Sequence, residues 1–338
     1  MTRRVRFAAL TALLCLAPVS IAAAPIQIRM GTIAPAGSPW HRVLKQMGED
    51  WKKISNGQVE LRVLAGGSLG DERAMLQKTR AGVLQGLAIS GAGLPEIDPG
   101  VMCLQIPLMF DSYEELDYVR ERLVPKLERR IEERGFVVLN WGDAGWLHFF
   151  SKTRAATLDD LRKTKLYITA GDAEAENLYK LAGFKPVPLA STDILASLQT
   201  GLIDAFDVPP LFALSSQTFA LAKYMNDVRW APLVGATVVE KKAWEKIPAE
   251  LRPKLRDSAR VAGEKFRGEI RKLSEDSIHE MAKRGLNIVV TDAATQEAWR
   301  KEAESFWPKI RGRLVPPELF DEVKRLRDEY RAGKSSPR

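Results

Sequence analysis

The sequence predicts an α/β protein built mostly on parallel strands. Two observations carry this prediction. Short apolar or alternating segments recur along the chain, and nearly every one is followed by a segment with apolar residues at helical spacing. Strands and helices that alternate in this way are the pattern of βαβ units. A third observation sets the size. The chain has 338 residues, 45% of them apolar and 28% charged, enough for two ordinary domains with a sizeable core.

The elements follow in order. Ile26 to Met30 alternates and reads as a strand. Gly31 to Pro39 is a loop with two prolines, and Trp40, Val43, Leu44, Met47 and Trp51 then recur at helical spacing. Asn56-Gly57 is a turn before a strand at Val59, Leu61 and Val63. Asp71 to Arg80 reads as a helix and Leu84 to Ser90 as a buried strand. Ser112-Tyr-Glu-Glu115 has the form of a capping box, opening a helix to Gly135, and Phe136 to Leu139 is another strand. Lys165 to Ile168 is a short strand that leads into a helix from Asp172, stopped by Gly183. Ser191 to Thr200 is a helix, Leu202 to Phe206 a strand, and Pro209-Pro210 breaks the chain before an apolar helix. Phe266, Ile270, Leu273, Ile278 and Met281 lie close to one face of a long helix ending at Gly285. Leu286 to Val290 is a strand, and the remainder is helical with a polar tail. There is no internal repeat and no low-complexity segment.

The N-terminus has its own pattern. Arg3, Arg4 and Arg6 precede an apolar run from Phe7 to Ala17, and Ser20 to Ala24 supplies small residues for cleavage. The run is too short to span a bilayer. A cleaved export signal over residues 1–24 is expected, cut between residues 22 and 25, with a soluble mature protein in the periplasm. Cys15 is preceded by Leu13 and Leu14, which argues against lipidation, and Cys103 is then the one remaining cysteine. An exported protein without an internal disulfide depends on core size for its stability. Loss of the three arginines brings the formal charge of +8 to about +5. The basic residues are interleaved with acidic ones, as from Glu264 to Lys283, so no nucleic-acid partner is expected.

Catalytic motifs are weak. Gly66-Gly67-Ser68-Leu69-Gly70 matches the G-x-S-x-G nucleophile elbow, with His148 or His279 as the base. Too few residues precede Ser68 for the strands that normally come first, and no HGGG-type segment is present. His41, His148 and His279 lack metal-ligand spacing, and no Walker A loop, GxGxxG loop or CxxC pair occurs. Neither a metal nor a cofactor is expected. Trp141 and Trp146 bracket Gly142-Asp143-Ala144-Gly145 just after a strand, where they could sit in the core or wall a ligand cleft.

Several motifs occur together in a recognisable order. They are G-T-I-A-P-A-G-S-P at 31–39, G-G-S-L-G-D-E-R at 66–73, I-P-L-M-F at 106–110 and W-G-D-A-G at 141–145. L-D-D-L-R-K-T-K-L at 158–166 and L-Q-T-G-L-I-D-A at 198–205 complete the set. With them the chain resembles the DctP-type periplasmic solute-binding proteins of TRAP transporters, over about residues 27–325. The resemblance accounts for the G-x-S-x-G match without a nucleophile. It implies a two-lobed α/β binding protein with a central ligand cleft, a hinge and a long helix linking the lobes. The chain would cross between lobes near Gly145, near Trp230 and along the long helix. The implied division is 25–144 with about 231–272 in the first lobe and 145–230 with about 273–330 in the second, leaving 331–338 as a polar tail. The implied role is to deliver a small-molecule ligand, as a monomer, to a membrane permease of the TRAP type or another envelope system, without catalysis.

This chain departs from the family where the family holds its acid. The resemblance places the usual anchor, an arginine in a K-I-R-V strand, at Tyr167 in Lys165-Leu166-Tyr167-Ile168. Leu147 stands at a second arginine position, and Val208, after Asp207, at the asparagine of E-N-P. An unpaired carboxylate in a closed apolar cleft costs several kcal/mol. The ligand is therefore expected to be apolar or weakly polar, such as a lipid, a sterol-like molecule or an aromatic compound. The expected lining is Tyr167, Leu147, Val208 and Asp207, with Trp146, Phe206, Phe110 and Trp141. The alternative is a carboxylate binder that uses a relocated cation, Lys165 or Arg162.

Overall fold

The computed structural model describes residues 24–171 and 173–335. The export signal, the helix start at Asp172 and the last three residues of the tail fall outside that range, except for Ala24.

The chain begins with β1 (Ile26–Gly31), whose alternation buries Ile28 and Met30. α1 (Pro39–Ile54) follows, with Ser38 accepting from the His41 N–H and Pro39 at the first turn. β2 (Val59–Leu64), α2 (Glu72–Arg80, capped by Asp71) and β3 (Gly86–Ile89) come next. Two short 3-10 segments, Leu94–Glu96 and Pro99–Leu104, lead to α3 (Tyr113–Glu133). Ser112 caps α3 as expected, but the Glu115 carboxylate accepts from the Asp111 N–H instead of closing the box on Ser112. β4 (Phe136–Trp146) and β5 (His148–Ser151) are separated by Leu147 alone.

Then come α4 (Leu158–Arg162), β6 (Lys165–Thr169), α5 (Ala173–Leu181), β7 (Lys185–Leu189), α6 (Ile194–Thr200) and β8 (Ala205–Val208). α7 (Pro210–Ser215), β9 (Tyr224–Asn226), β10 (Pro232–Glu240) and α8 (Lys241–Glu245) follow. The chain closes with α9 (Arg252–Lys283), β11 (Asn287–Val289), α10 (Ala293–Ile310) and α11 (Pro317–Ser335).

The strands form two sheets, in the orders β2-β1-β3-β10-β4 and β11-β9-β5-β8-β6-β7. β1 pairs in parallel with β2 and β3, and β6 pairs in parallel with β7 and β8. The antiparallel exceptions are β10, against β3 and β4, and β5, against β8 and β9. Both belong to segments that have just passed from the other sheet, so they enter the new one in the reverse sense.

The lobes are joined where β4 passes into β5, where β9 passes into β10, and along α9. The two strand crossings support each other. The Leu147 N–H donates to the Ala231 carbonyl at 2.8 Å, and the Trp230 N–H donates to the Leu147 carbonyl at 2.9 Å. Gly145 is required here: its φ is +118°, and a Cβ would stand 2.5 Å from Ser274 Oγ on α9.

The C-terminal division needs correction. α10 contributes Trp299 and Ala303 to the second lobe's core, but Trp307 and Ile310 to the first. It is a fourth crossing. α11 then packs on α3 and on the Pro99–Leu104 turn through Leu319, Phe320, Val323 and Leu326, so it lies with the first lobe and not the second. The expected tail is helical through Ser335. Arg331 pairs with Asp111 at 2.9 Å and with Glu115, which ties that end to the start of α3.

Candidate ligand cleft

A cavity of about 230 Å³ lies between the two sheets. α1 contributes Trp40, Val43 and Met47. The second lobe contributes Tyr167 and Thr169 from β6, Asp207 and Val208 from β8, and Phe212 from α7. Leu147 and Leu233 reach it from the crossing strands, and Gly263 and Phe266 from α9.

Tyr167 is 4% exposed. Strand alternation puts it on the same face as Thr169, and its hydroxyl lies 3.2 Å from Thr169 Oγ1. Burial raises its phenol pKa well above the usual value, so it is neutral. Lys165 shares the alternation but lies about 7 Å further from the strand's C-terminal end. Its ammonium bonds the Gly201 carbonyl and is not at the cavity. Arg162 is also engaged elsewhere, with the Ala182 carbonyl at 2.7 Å, Asp159 at 2.7 Å and Glu302. Neither cation proposed for a relocated carboxylate contact is among the lining residues.

Tyr167, Leu147, Val208 and Asp207 all border the cavity. The four other expected residues do not. Trp146 is 1% exposed in the first lobe's core, with its ring 5.3 Å from Tyr113. Trp141 faces α3, where its indole N–H donates to Glu128 at 3.1 Å. The physical reason is that β4 carries two bulges, at Leu139 and Ala144, opposite β10. Asn140, Gly142 and Ala144 are thereby brought to the cavity, and the indoles are buried on the other side. Phe206 stacks on Phe150 at 5.3 Å inside the second lobe, on the face of β8 opposite Asp207. Phe110 is fully buried in the first lobe's core.

Trp40, Phe212 and Phe266 are lining aromatics that the sequence did not single out. The spacing of Trp40, Val43, Leu44 and Met47 marks one helix face, but it does not separate a face turned to core from one turned to a cleft. Ser68 lies exposed in a turn, and no hydrogen bond joins it to a histidine among the described residues. His148 is buried with Nδ1 3.0 Å from the Asn226 carbonyl, and burial pushes its pKa down to about 4. No group of His, Cys, Asp or Glu that could hold a metal occurs among the described residues.

Three carboxyl groups border the cavity. Glu72, at the start of α2, accepts from the Ser90 N–H at 2.6 Å and the Ser90 hydroxyl at 2.8 Å. Burial pushes its pKa up to about 7, against those hydrogen bonds. Asp143 is held by two arginines, Arg120 at 2.5 Å and Arg271 at 2.6 Å. Arg271 also grips Asp117 through two bonds of 2.7 Å, and its guanidinium lies 4.1 Å from the centre of the Tyr113 ring. Among the described residues Asp207 has no such partner, and desolvation pushes its pKa up to about 6. No Lys, Arg or His is among the lining residues.

Two sheets joined by paired crossing strands and a long helix, around a cavity of this kind, define a two-lobed solute-binding protein. The chain belongs to the DctP family, bacterial extracellular solute-binding protein family 7, whose profile matches residues 30–313. It is 25% identical over 291 residues to the C4-dicarboxylate-binding periplasmic protein DctP of Rhodobacter capsulatus, covering 84% of this chain and 86% of that one. Among solved structures it is similar to the sugar acid binding protein of Advenella mimigardefordensis in complex with galactonate. The TM-score is 0.84 at 18% identity, over 90% of this chain and 98% of that one. It is also similar to a TRAP periplasmic solute-binding protein of Xanthobacter autotrophicus with bound β-D-galacturonate. There the TM-score is 0.82 at 19% identity, over 89% and 99% of the two chains. No helix among the described residues is long and apolar enough to cross a membrane.

Proposed function

We propose that this protein is exported to the periplasm, captures a small ligand in the cleft and hands it to a TRAP-type membrane permease without catalysing a reaction. The family and the two-lobed fold support this role. For the ligand, the geometry supports an apolar or weakly polar molecule. One observation carries that reading: the lining offers aromatic and aliphatic surface and no cation, with Tyr167, Leu147 and Val208 at the positions where the family's polar contacts are expected. A ligand carboxylate placed there would give up its hydration without a charge partner, at several kcal/mol. The volume narrows the class further. At about 230 Å³ the cavity suits a small aromatic compound.

A second reading, an organic acid, is supported by the acids named in the relatives above, and of the two ligand classes it is the one the comparisons favour. In this chain it must work without Lys165 and Arg162 and use neutral donors such as Tyr167, Thr169 and Thr237. Thermal shift with galactonate, galacturonate and succinate against neutral aromatic compounds separates the two. Neutral aromatics are expected to raise the Tm, and Lys165→Ala is expected to change nothing. Strong stabilisation by an acid that Tyr167→Ala abolishes would overturn the apolar reading in favour of the acid.

A further inference from the structure

Among the described residues, Asp207 is the cavity carboxyl that no other residue meets, and it is half-buried. It lies one residue from the end of β8 and borders the cavity. Among the described residues its carboxylate forms no ion pair, and its one donor is its own backbone N–H. The two other carboxyls at the cavity are accounted for, Glu72 by Ser90 and Asp143 by Arg120 and Arg271. A half-buried carboxylate facing a cavity keeps part of its hydration while the cleft is empty, and a ligand that displaces that water has to supply a charge partner in its place.

The surroundings indicate what completes it. Trp40, Tyr167, Phe212 and Phe266 line the same cavity. Aromatic faces attract cations through the ring quadrupole, and a carboxylate pairs with a charged N–H donor more strongly than with a neutral one. A carboxylate set among aromatic rings, with no competing Lys or Arg, matches a ligand whose polar end is a cationic nitrogen and whose body is apolar. The same set rejects an anion.

We propose that Asp207 is a specificity-determining residue of the cleft, and that it recognises a protonated amine carried on a small apolar body. This rests on the reading of the cleft as a site for an apolar or weakly polar ligand and names that ligand's polar group.

The test uses three probes of nearly equal shape, 2-phenylethylamine, 2-phenylethanol and phenylacetate, titrated calorimetrically at pH 7.5 into the wild type and Asp207→Asn. The amine is expected to bind the wild type at least tenfold more tightly than the alcohol, and phenylacetate most weakly. Asp207→Asn is expected to remove the amine's advantage over the alcohol, and an unchanged far-ultraviolet circular dichroism spectrum shows that the variant is folded. An amine that binds no better than the alcohol, or equally well to Asp207→Asn, overturns the assignment of Asp207 while the apolar reading stands. Phenylacetate as the tightest ligand overturns both, and so does an absence of binding by all three.

Discussion

Asp143 and Asp207 border the same cavity, and the fold treats them in opposite ways. Asp143 is 6% exposed and closed off by Arg120 and Arg271, which also share Asp117 and tie β4, α3 and α9 together. Asp207 is turned to the cavity with no cation near it. The first is a charge whose partners are built into the protein, and it anchors the linking helix. The second is a charge whose partner is missing until a ligand arrives. Asp143 is buried and Asp207 half-buried, so exposure and the presence of a resident partner together separate the structural carboxylate from the one open to a ligand.

Breaking the paired side should give the largest effect. Asp143→Ala takes from Arg120, 1% exposed, its fully buried partner and leaves it only the more exposed Asp117. A loss of about 3–5 kcal/mol in unfolding free energy is expected in urea denaturation. A loss below about 1 kcal/mol would mean that the network is not what holds α9 to the first lobe.

Relieving the unpaired side should act in the opposite direction. Asp207 has its pKa raised from 3.8 to about 6 in the folded protein. The folded state therefore binds its proton more tightly than the unfolded state. The stability this contributes is fully present below about pH 4 and is lost as pH rises through about 6. Asp207→Asn has no such loss. Relative to wild type, the ligand-free variant should gain at most about 2 kcal/mol between pH 4 and pH 7, reduced by the water that still reaches the half-buried carboxylate, read as a Tm difference that opens with pH. Parallel pH profiles for the two proteins would show that Asp207 has a partner after all.

The smallest effect sharpens the role of Tyr167. Among the described residues its hydroxyl meets only Thr169, so Tyr167→Phe should cost less than about 1 kcal/mol of stability. If the ring stacks on the ligand, affinity for a neutral aromatic should stay within about twofold. A tenfold loss would assign the hydroxyl, not the ring, to the ligand.

Much of this was legible in the chain. The order of strands and helices follows from period and turn residues, whereas the crossings near Gly145 and Trp230 and the significance of Tyr167 came from the family resemblance alone. Tyr167, Leu147, Val208 and Asp207 were placed by motif position alone. Trp141 and Trp146 were misplaced because each bulge in β4 shifts the alternation by one residue, and a bulge leaves no mark in composition. Trp40 and Phe266 were read as apolar helix-face residues and Phe212 only as part of an apolar helix, because an apolar side chain carries no sign of whether its neighbour is core or ligand.

The sequence by itself determined the family, the two-lobed α/β architecture and the tyrosine at position 167. These depend on short-range patterns that survive without knowledge of packing. The tertiary structure alone decided where the charges go. Arg162, Lys165, Arg120 and Arg271 all lie within a few residues of lining positions or contact them, yet Arg120 and Arg271 are spent on Asp143, and the other two face away from the cavity. Pairing between charges distant in sequence is set by which helices pack behind which strands, and only that packing reveals Asp207 as the carboxylate left over.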